Sequence, residues 1–366
     1  ATATASAGTA FYYRPDPGAP DLIATQSRIS RTLKSPQELS DNADRPEGIL
    51  LTVARALVIG TVTGISRTFL FGLNRTKVVE DDRWRRLVEL VEHRPPGTPL
   101  LTVANHNSTL DDPTLFAAII PLRLIVQPSL MRWCVCSEEI CFANAGLSAF
   151  FGAGKVMPIA RGPGVDQKLL LDFARRIAAG DWCSIFPEGK TVQTGHLGGR
   201  TGTRAQEIGR FKWGVGKLIA HAPVTPVVVP FFHTGMQEVV PEHPVTKDVL
   251  NTAPGCGKDI TVRVGRPVEV RDLVEAYEQE HGPLRKYHAR AVADGTVGVG
   301  CSNSDSGDGS GSSCVKEGDE NWRRIWASTL QERQLYSAIA RRIEIALAEL
   351  ETEARADLGD AYPGIP

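Results

Sequence analysis

The sequence predicts an α/β fold with a central mixed sheet flanked by helices, and three observations carry that expectation. Short apolar runs recur at 99–104, 122–126, 155–160, 182–186, 224–230 and 259–264, each of strand length. Helical periodicity fills several of the gaps, most clearly in "DQKLLLDFARRIAAG" (166–180), which Gly180 closes. At 366 residues and 42% hydrophobic content, the chain can bury one large core or a core with appendages.

Residues 1–47 are rich in Pro, Ser, Asp and Arg and read as a disordered leader. The opening "ATATASAGTA" lacks a basic n-region and a long apolar h-region, so it reads as a transit remnant rather than a secretory signal. From Gly48 the character changes to "GILLTVARALVIGTVTGISRTFLFGL". The charge-free stretch between Arg55 and Arg67 is 11 residues, short of the roughly 20 a spanning helix needs. Snorkelling arginines instead favour an interfacial or re-entrant membrane-anchoring helix over 48–73, with a buried core helix as the alternative.

"WRRLVELVEH" (84–93) places Trp84, Leu87, Val88 and Val91 at helical spacing, and Pro95-Pro96-Gly97 ends it. The main domain is expected over 48–290. A Gly/Ser-rich flexible insert follows at 291–320, containing "TVGVGCSNSDSGDGSGSS". Its acidic spacing fails as a calcium loop. Residues 321–356 form an amphipathic helix whose stripe of Leu335, Ile339, Ile343, Leu347 and Leu350 is expected to pack back on the domain, leaving 357–366 as a tail.

Lys and Arg number 41 against 42 Asp and Glu, and no nucleic-acid-binding pattern appears, so nucleic acid is not an expected partner. Seven scattered cysteines do not suggest a disulfide framework. Cys134, Cys136 and Cys141 read as buried free thiols, because no second Cys/His pair stands at zinc spacing; no metal is expected. Cys183 likewise reads as a buried thiol, and no G-x-S-x-G elbow or Walker A motif is present.

The chemistry is expected in four blocks. In "VANHNSTLDDP" (103–113), His106 ends a strand and Asp111 precedes a helix, so the loop can bring imidazole and carboxylate together as a proton-transfer pair. Asp112, before Pro113, reads as the helix cap. "GKVMPIARG" delivers Arg161 to a strand end, suited to phosphate or simply surface-exposed. "DWCSIFPEGK" holds Glu188 and Gly189 in a tight turn, where Glu188 binds substrate hydroxyls or fixes the turn. Lys190, Arg210, Lys212 and Lys217 face lipid headgroups or form a solvated face. In "PVTPVVVPFFHTGM", Pro230, Phe231 and Phe232 could line an acyl pocket, and His233 reads as a satisfied loop histidine.

This series, H-x4-D, strand-terminal Arg, F-P-E-G, then an apolar strand with Pro, resembles the glycerolipid acyltransferase superfamily over about residues 50–270. Within it, "TVANHNSTLDDP", "LMRWCVCSEEICF", "IFPEGK", "RFKWGVGKLIA" and "HTGM" are similar to the mitochondrial phospholipid–lysophospholipid transacylases. The resemblance implies catalytic His106 and Asp111, substrate binding around Arg161, Glu188 and Gly189, and membrane association after Gly48. It also implies phospholipid and lysophospholipid substrates, cardiolipin remodelling at a mitochondrial membrane, and no cofactor. A homo-oligomer is compatible with it. The rival readings are an acyl-CoA-dependent lysophospholipid acyltransferase, a silent lipid-binding module and, on paper, a metallohydrolase using His106, Asp111 and His233.

Overall fold

A computed structural model describes residues 48–193, 211–243, 246, 249–250, 253–287, 326–359 and 362. The leader, the "TGHLGGRTGT" loop (194–203), Arg210 and the insert at 291–320 lie outside the described residues. So do Cys301 and Cys314.

The fold is mixed α/β. Its sheet has five strands in the order β1-β7-β6-β2-β5. The central strand, β2 (Leu100–Ala104), is parallel to β5 (Trp182–Ile185) on one side and β6 (Val227–Thr234) on the other. β7 (Asp259–Val264) runs antiparallel to β6, and β1 (Arg75–Val79) is parallel to β7. A second parallel pair, β3 (Cys134–Ser137) and β4 (Val156–Ile159), joins the edge of β5 through a bridge between Trp133 and Cys183.

β2 is a near-continuous apolar run, "LLTVA", with every residue buried, as expected of a strand covered on both faces. Its alternation divides the core. Leu101 and Val103 join one cluster with Cys183, Ile185 and Val228, whereas Leu100 and Ala104 join the other with Trp182, Val229 and Phe231.

The N-terminal apolar helix α1 (Ile49–Arg67) continues into a π-helical segment, Thr68–Leu73. α2 (Asp82–His93) follows β1, its first amides capped by Asp81. Between β2 and β3 lie α3 (Asp111–Ile119) and α4 (Leu122–Ile125); between β3 and β4 lie α5 (Glu138–Cys141) and α6 (Ala145–Ala153). α7 (Lys168–Ala178), α8 (Gly214–Ala220), α9 (Met236–Val239) and α10 (Arg271–His281) complete the main body, and α11 (Leu330–Leu358) closes the described chain.

α11 packs on the core, with Leu335, Ile339, Ile343, Leu347 and Leu350 all buried, and its start is fixed by a Thr329/Glu332 capping box. Its approach to α8 is close: a Cβ on Gly216 would fall 2.6 Å from the Tyr336 Cα and nearer still to its carbonyl oxygen. Lys217 therefore has neither a headgroup nor a solvent role. It is 1% exposed, with Nζ donating to Asp166 Oδ1 at 3.0 Å and to the Trp326 carbonyl. Burial lowers its pKa.

Other expectations are corrected. The run 122–126 is not a strand: Pro121 opens the short helix α4, which buries Leu124 and Ile125 and exposes Leu122 and Val126. Apolar content alone does not separate the two in so short a run. The strand expected at 224–230 lies at 227–234, and β1 and β3 were not anticipated. Cys136 and Cys141 form a disulfide instead of free thiols, because β3 turns directly into α5 and brings their Cα atoms to 6.1 Å. Cys134 and Cys183 are free and buried, as expected, and burial pushes both thiols well up.

Two outcomes follow for stability. Gly216→Ala should cost about 1–3 kcal/mol through overpacking against backbone, whereas Gly60→Ala, in open space within α1, should gain roughly 0.5–1 kcal/mol. Denaturant midpoints check both. Separately, His221 bonds the Arg285 carbonyl and the Tyr336 hydroxyl, and burial holds its pKa below the ordinary value. The unfolded chain therefore takes up this proton first, so stability should fall as pH drops below about 6.5. His221→Gln should flatten that slope in unfolding measured from pH 7.5 to 5.

Candidate active site

Because β2, β5 and β6 are parallel, their C-terminal ends share one edge, the usual ligand edge of an α/β sheet. His106 stands two residues beyond β2, Glu188 three beyond β5, and His233 in the last turn of pleat of β6. The His106 Nδ1 lies 2.9 Å from Asp111 Oδ2. The same oxygen accepts the Asn107 and Ser108 amides at 2.7 and 2.9 Å. Asp111 has no exposed surface, so these donors are what offset its desolvation.

The carboxylate takes the proton-bearing Nδ1, which leaves the His106 Nε2 lone pair free. The ring keeps 21% of its surface exposed and stacks on Phe186, centroids 4.5 Å apart. Its backbone is held from β5: the His106 amide donates to Glu188 Oε1 at 3.0 Å, and its carbonyl accepts the Val192 amide at 2.7 Å. Of the two roles open to Glu188, the structure shows the structural one. Glu188 is buried under the loop that carries His106.

Gly189 has φ +66° and gives way to Lys212, whose Nζ occupies the space a Cβ would need. The Lys212 amide also donates to the Pro187 carbonyl at 2.8 Å. The "RFKWG" and "FPEGK" segments are thus docked on each other. Among the described residues, no group of three or more His, Cys, Asp or Glu side chains could hold a metal ion.

The Acyltransferase family matches residues 85–234, which contain all of these groups. An N-acylphosphatidylethanolamine synthase of Arabidopsis thaliana is 38% identical over 217 residues, covering 59% of this chain and 71% of that protein. Tafazzin of Drosophila melanogaster is 31% identical over 278 residues, covering 71% and 68% respectively. Tafazzin of Saccharomyces cerevisiae is 26% identical over 258 residues, covering 62% and 65%. The chain belongs to the tafazzin-like glycerolipid acyltransferases. It is an acyltransferase.

Within this acyltransferase Asp111 pairs with His106 as expected, but its neighbour departs from the expected role. Asp112 does not cap α3. Pro113 forces it into an extended conformation, φ −101° and ψ 122°, which turns the carboxylate away from the helix amides. There it binds Arg132, through Nε at 2.9 Å and a second contact from Nη2, and accepts from the Cys134 thiol at 3.2 Å. Asp111 serves the loop backbone as well as His106. Asp112 ties the loop to β3.

The remaining expected residues are dispersed. Arg161 is exposed beyond β4 and makes no hydrogen bond or ion pair with a described residue; Lys190 is exposed beside Gly189. Arg210 lies outside the described residues. Phe231 and Phe232 are core rather than an acyl pocket, with Phe231 edge-on to Phe116. His233 is in a strand, not a loop. It is fully buried, with Nε2 2.9 Å from the Asn105 carbonyl and 3.5 Å from Asp111 Oδ2. Sequence reasoning missed this placement. The signal was that His233 ends the strand beside β2, where Ala104 pairs with Phe231.

The two aspartates should separate experimentally. Asp112→Ala leaves the buried Arg132 guanidinium unpaired and should cost about 3–5 kcal/mol of stability. The urea midpoint of the variant is the check.

Proposed function

We propose that the chain is a membrane-bound phospholipid–lysophospholipid transacylase, with His106 as the general base and acid and Asp111 as its partner. The observation that carries the reading is the 2.9 Å contact between His106 Nδ1 and the buried Asp111 carboxylate, with Nε2 left free. A lysophospholipid hydroxyl gives its proton to Nε2 as its oxygen attacks the ester carbonyl of a second phospholipid. The tetrahedral oxyanion collapses, the old C–O bond breaks, and the imidazolium returns the proton to the departing glycerol oxygen. One ester replaces another, so the exchange calls on neither CoA nor ATP.

Lys212, held against Gly189 beside the Glu188 turn, supplies a cation for phosphate or developing charge. Lys190, Arg161 and Arg210 are the further headgroup contacts we propose. A bilayer setting is supported by the 25-residue helical segment Ile49–Leu73, whose most apolar 18 residues have mean hydropathy 1.8 and are only 22% buried. Arg55 turns inward over the Trp133 ring, while Ile49, Leu50, Leu57, Phe71 and Leu73 stay exposed. That distribution suits a helix lying in the interface. Cardiolipin remodelling at a mitochondrial membrane is the setting implied by the similarity to tafazzins.

A second reading is favoured by the Arabidopsis relative, whose name denotes transfer to an amine. The same imidazole would then take a proton from a headgroup nitrogen.

One assay separates the readings. The protein is given acyl-labelled phosphatidylcholine, a lysophospholipid and phosphatidylethanolamine in bilayers, with and without acyl-CoA. Label moved without CoA into the former lysophospholipid, as a new alkali-labile ester, is the expected result. Alkali-resistant label would indicate an amide and the amine acceptor. Transfer from acyl-CoA alone would replace transacylation with the CoA-dependent reaction, and no transfer from any donor would leave a silent module. His106→Ala should abolish turnover, and Asp111→Asn should slow it by roughly 10²–10⁴.

A further inference from the structure

His233 is a second imidazole on the same carboxylate, and the way its hydrogen is placed gives it a role. Nε2 lies 2.9 Å from the Asn105 carbonyl, and a carbonyl only accepts, so Nε2 carries the hydrogen. The same nitrogen lies 3.5 Å from Asp111 Oδ2, in contact but without a hydrogen bond, so the N–H belongs to Asn105 and the ring packs behind the carboxylate. Nδ1 is then unprotonated, and it has no hydrogen-bond partner among the described residues. The ring is fixed from both ends of its own peptide: the Asn105 side chain accepts from the His233 amide at 3.0 Å and donates to its carbonyl at 2.9 Å.

We propose that His233, as a neutral imidazole, is a positioning residue that holds Asp111 on His106 from behind. The proposal rests on the His106–Asp111 reading above. The charged and titratable groups facing His233 are Asp111 and His106, and Glu188 accepts from the His106 backbone amide. Asp111 attracts a proton on either ring, but only one imidazolium can be stabilised fully by one carboxylate. The two rings differ in access: His106 is open on one side, whereas His233 has no exposed surface. Burial lowers the His233 pKa despite the neighbouring carboxylate. The positive charge formed during turnover therefore arises on His106, and the ring of His233, pinned to Asn105 and packed against Asp111, keeps the carboxylate from swinging.

The test is a mutant cycle on the full chain in bilayers, reading kcat, KM and the pH dependence of kcat/KM. His233→Leu removes the N–H and should lower kcat about 10- to 100-fold with KM nearly unchanged, within the range of coupled neighbours. Without His233 the carboxylate is free to swing off His106 and holds the imidazolium less firmly, so the acid limb should move to lower pH. His233→Gln, whose amide can still donate, should recover most of the rate and return the limb. In the Asp111→Asn background, His233→Leu should add little further loss. If the Leu variant does not fold, His233→Asn, with an amide too short to reach Asp111, takes its place in the cycle.

An unchanged kcat and pH limb in the folded variant, or a loss that adds in full to that of Asp111→Asn, overturns the proposal. If His106→Ala is inactive while His233 variants match the wild type, this inference falls and the catalytic reading stands. If His106→Ala retains turnover, the catalytic reading falls.

Discussion

A carboxylate with no exposed surface, Asp111, sets the geometry of the sheet edge. Three donors of its own loop converge on Oδ2, and His233 of the neighbouring strand packs 3.5 Å from the same oxygen, while Oδ1 has no hydrogen-bond partner among the described residues. That convergence requires β2 and β6 to be parallel neighbours, so that the chain leaving β2 passes beside His233. It requires β5 on the other side as well, because Glu188 and Val192 hold the His106 peptide by both its amide and its carbonyl. Three strands distant in sequence thus fix one imidazole. The ring gains orientation from the fold rather than from its own short loop.

The fold class was legible because burial on both faces of a parallel strand leaves a continuous apolar signature, and β2 and β6 both carry it. β1 was not, since "RTKVV" at the sheet edge alternates exposed and half-buried residues, and pairing with β7 defines it more than composition does. β3 was missed because "CVCS" is short and runs straight into α5. The pair His106–Asp111 was readable from spacing. The role of Asp112 was not, because the decisive term is the partner offered by tertiary structure: Arg132 is twenty residues away and lies beside Asp112 only once β3 has docked. The strand placement of His233 was not legible for the same reason. Its neighbour in space belongs to another strand.

The two aspartates divide the loop mechanically. Asp111 pulls the 106–108 segment inward to the sheet edge, and Asp112 pulls the start of α3 outward to Arg132, which itself stacks on Phe116. Phe116 in turn meets Trp182 and Phe231, on the strands flanking β2. The position of the His106 loop is therefore coupled to core packing on one face of the sheet. A change in that face can reach the imidazole without touching it.

The dyad by itself does not choose an acceptor. An imidazole with a free Nε2 can serve an oxygen or a nitrogen nucleophile, and relatives with different printed names each match more than half of this chain. Selection belongs to the groups around that nitrogen. Phe186 covers one face of the ring, and Lys212, seated on Gly189, puts a fixed cation close to the Glu188 turn. A cation there attracts a headgroup phosphate and repels a protonated amine at the same distance. Hydroxyl and amine acceptors both carry that phosphate, so on the proposed reading a cation there seats either headgroup, and the choice between them falls to which nucleophile reaches Nε2.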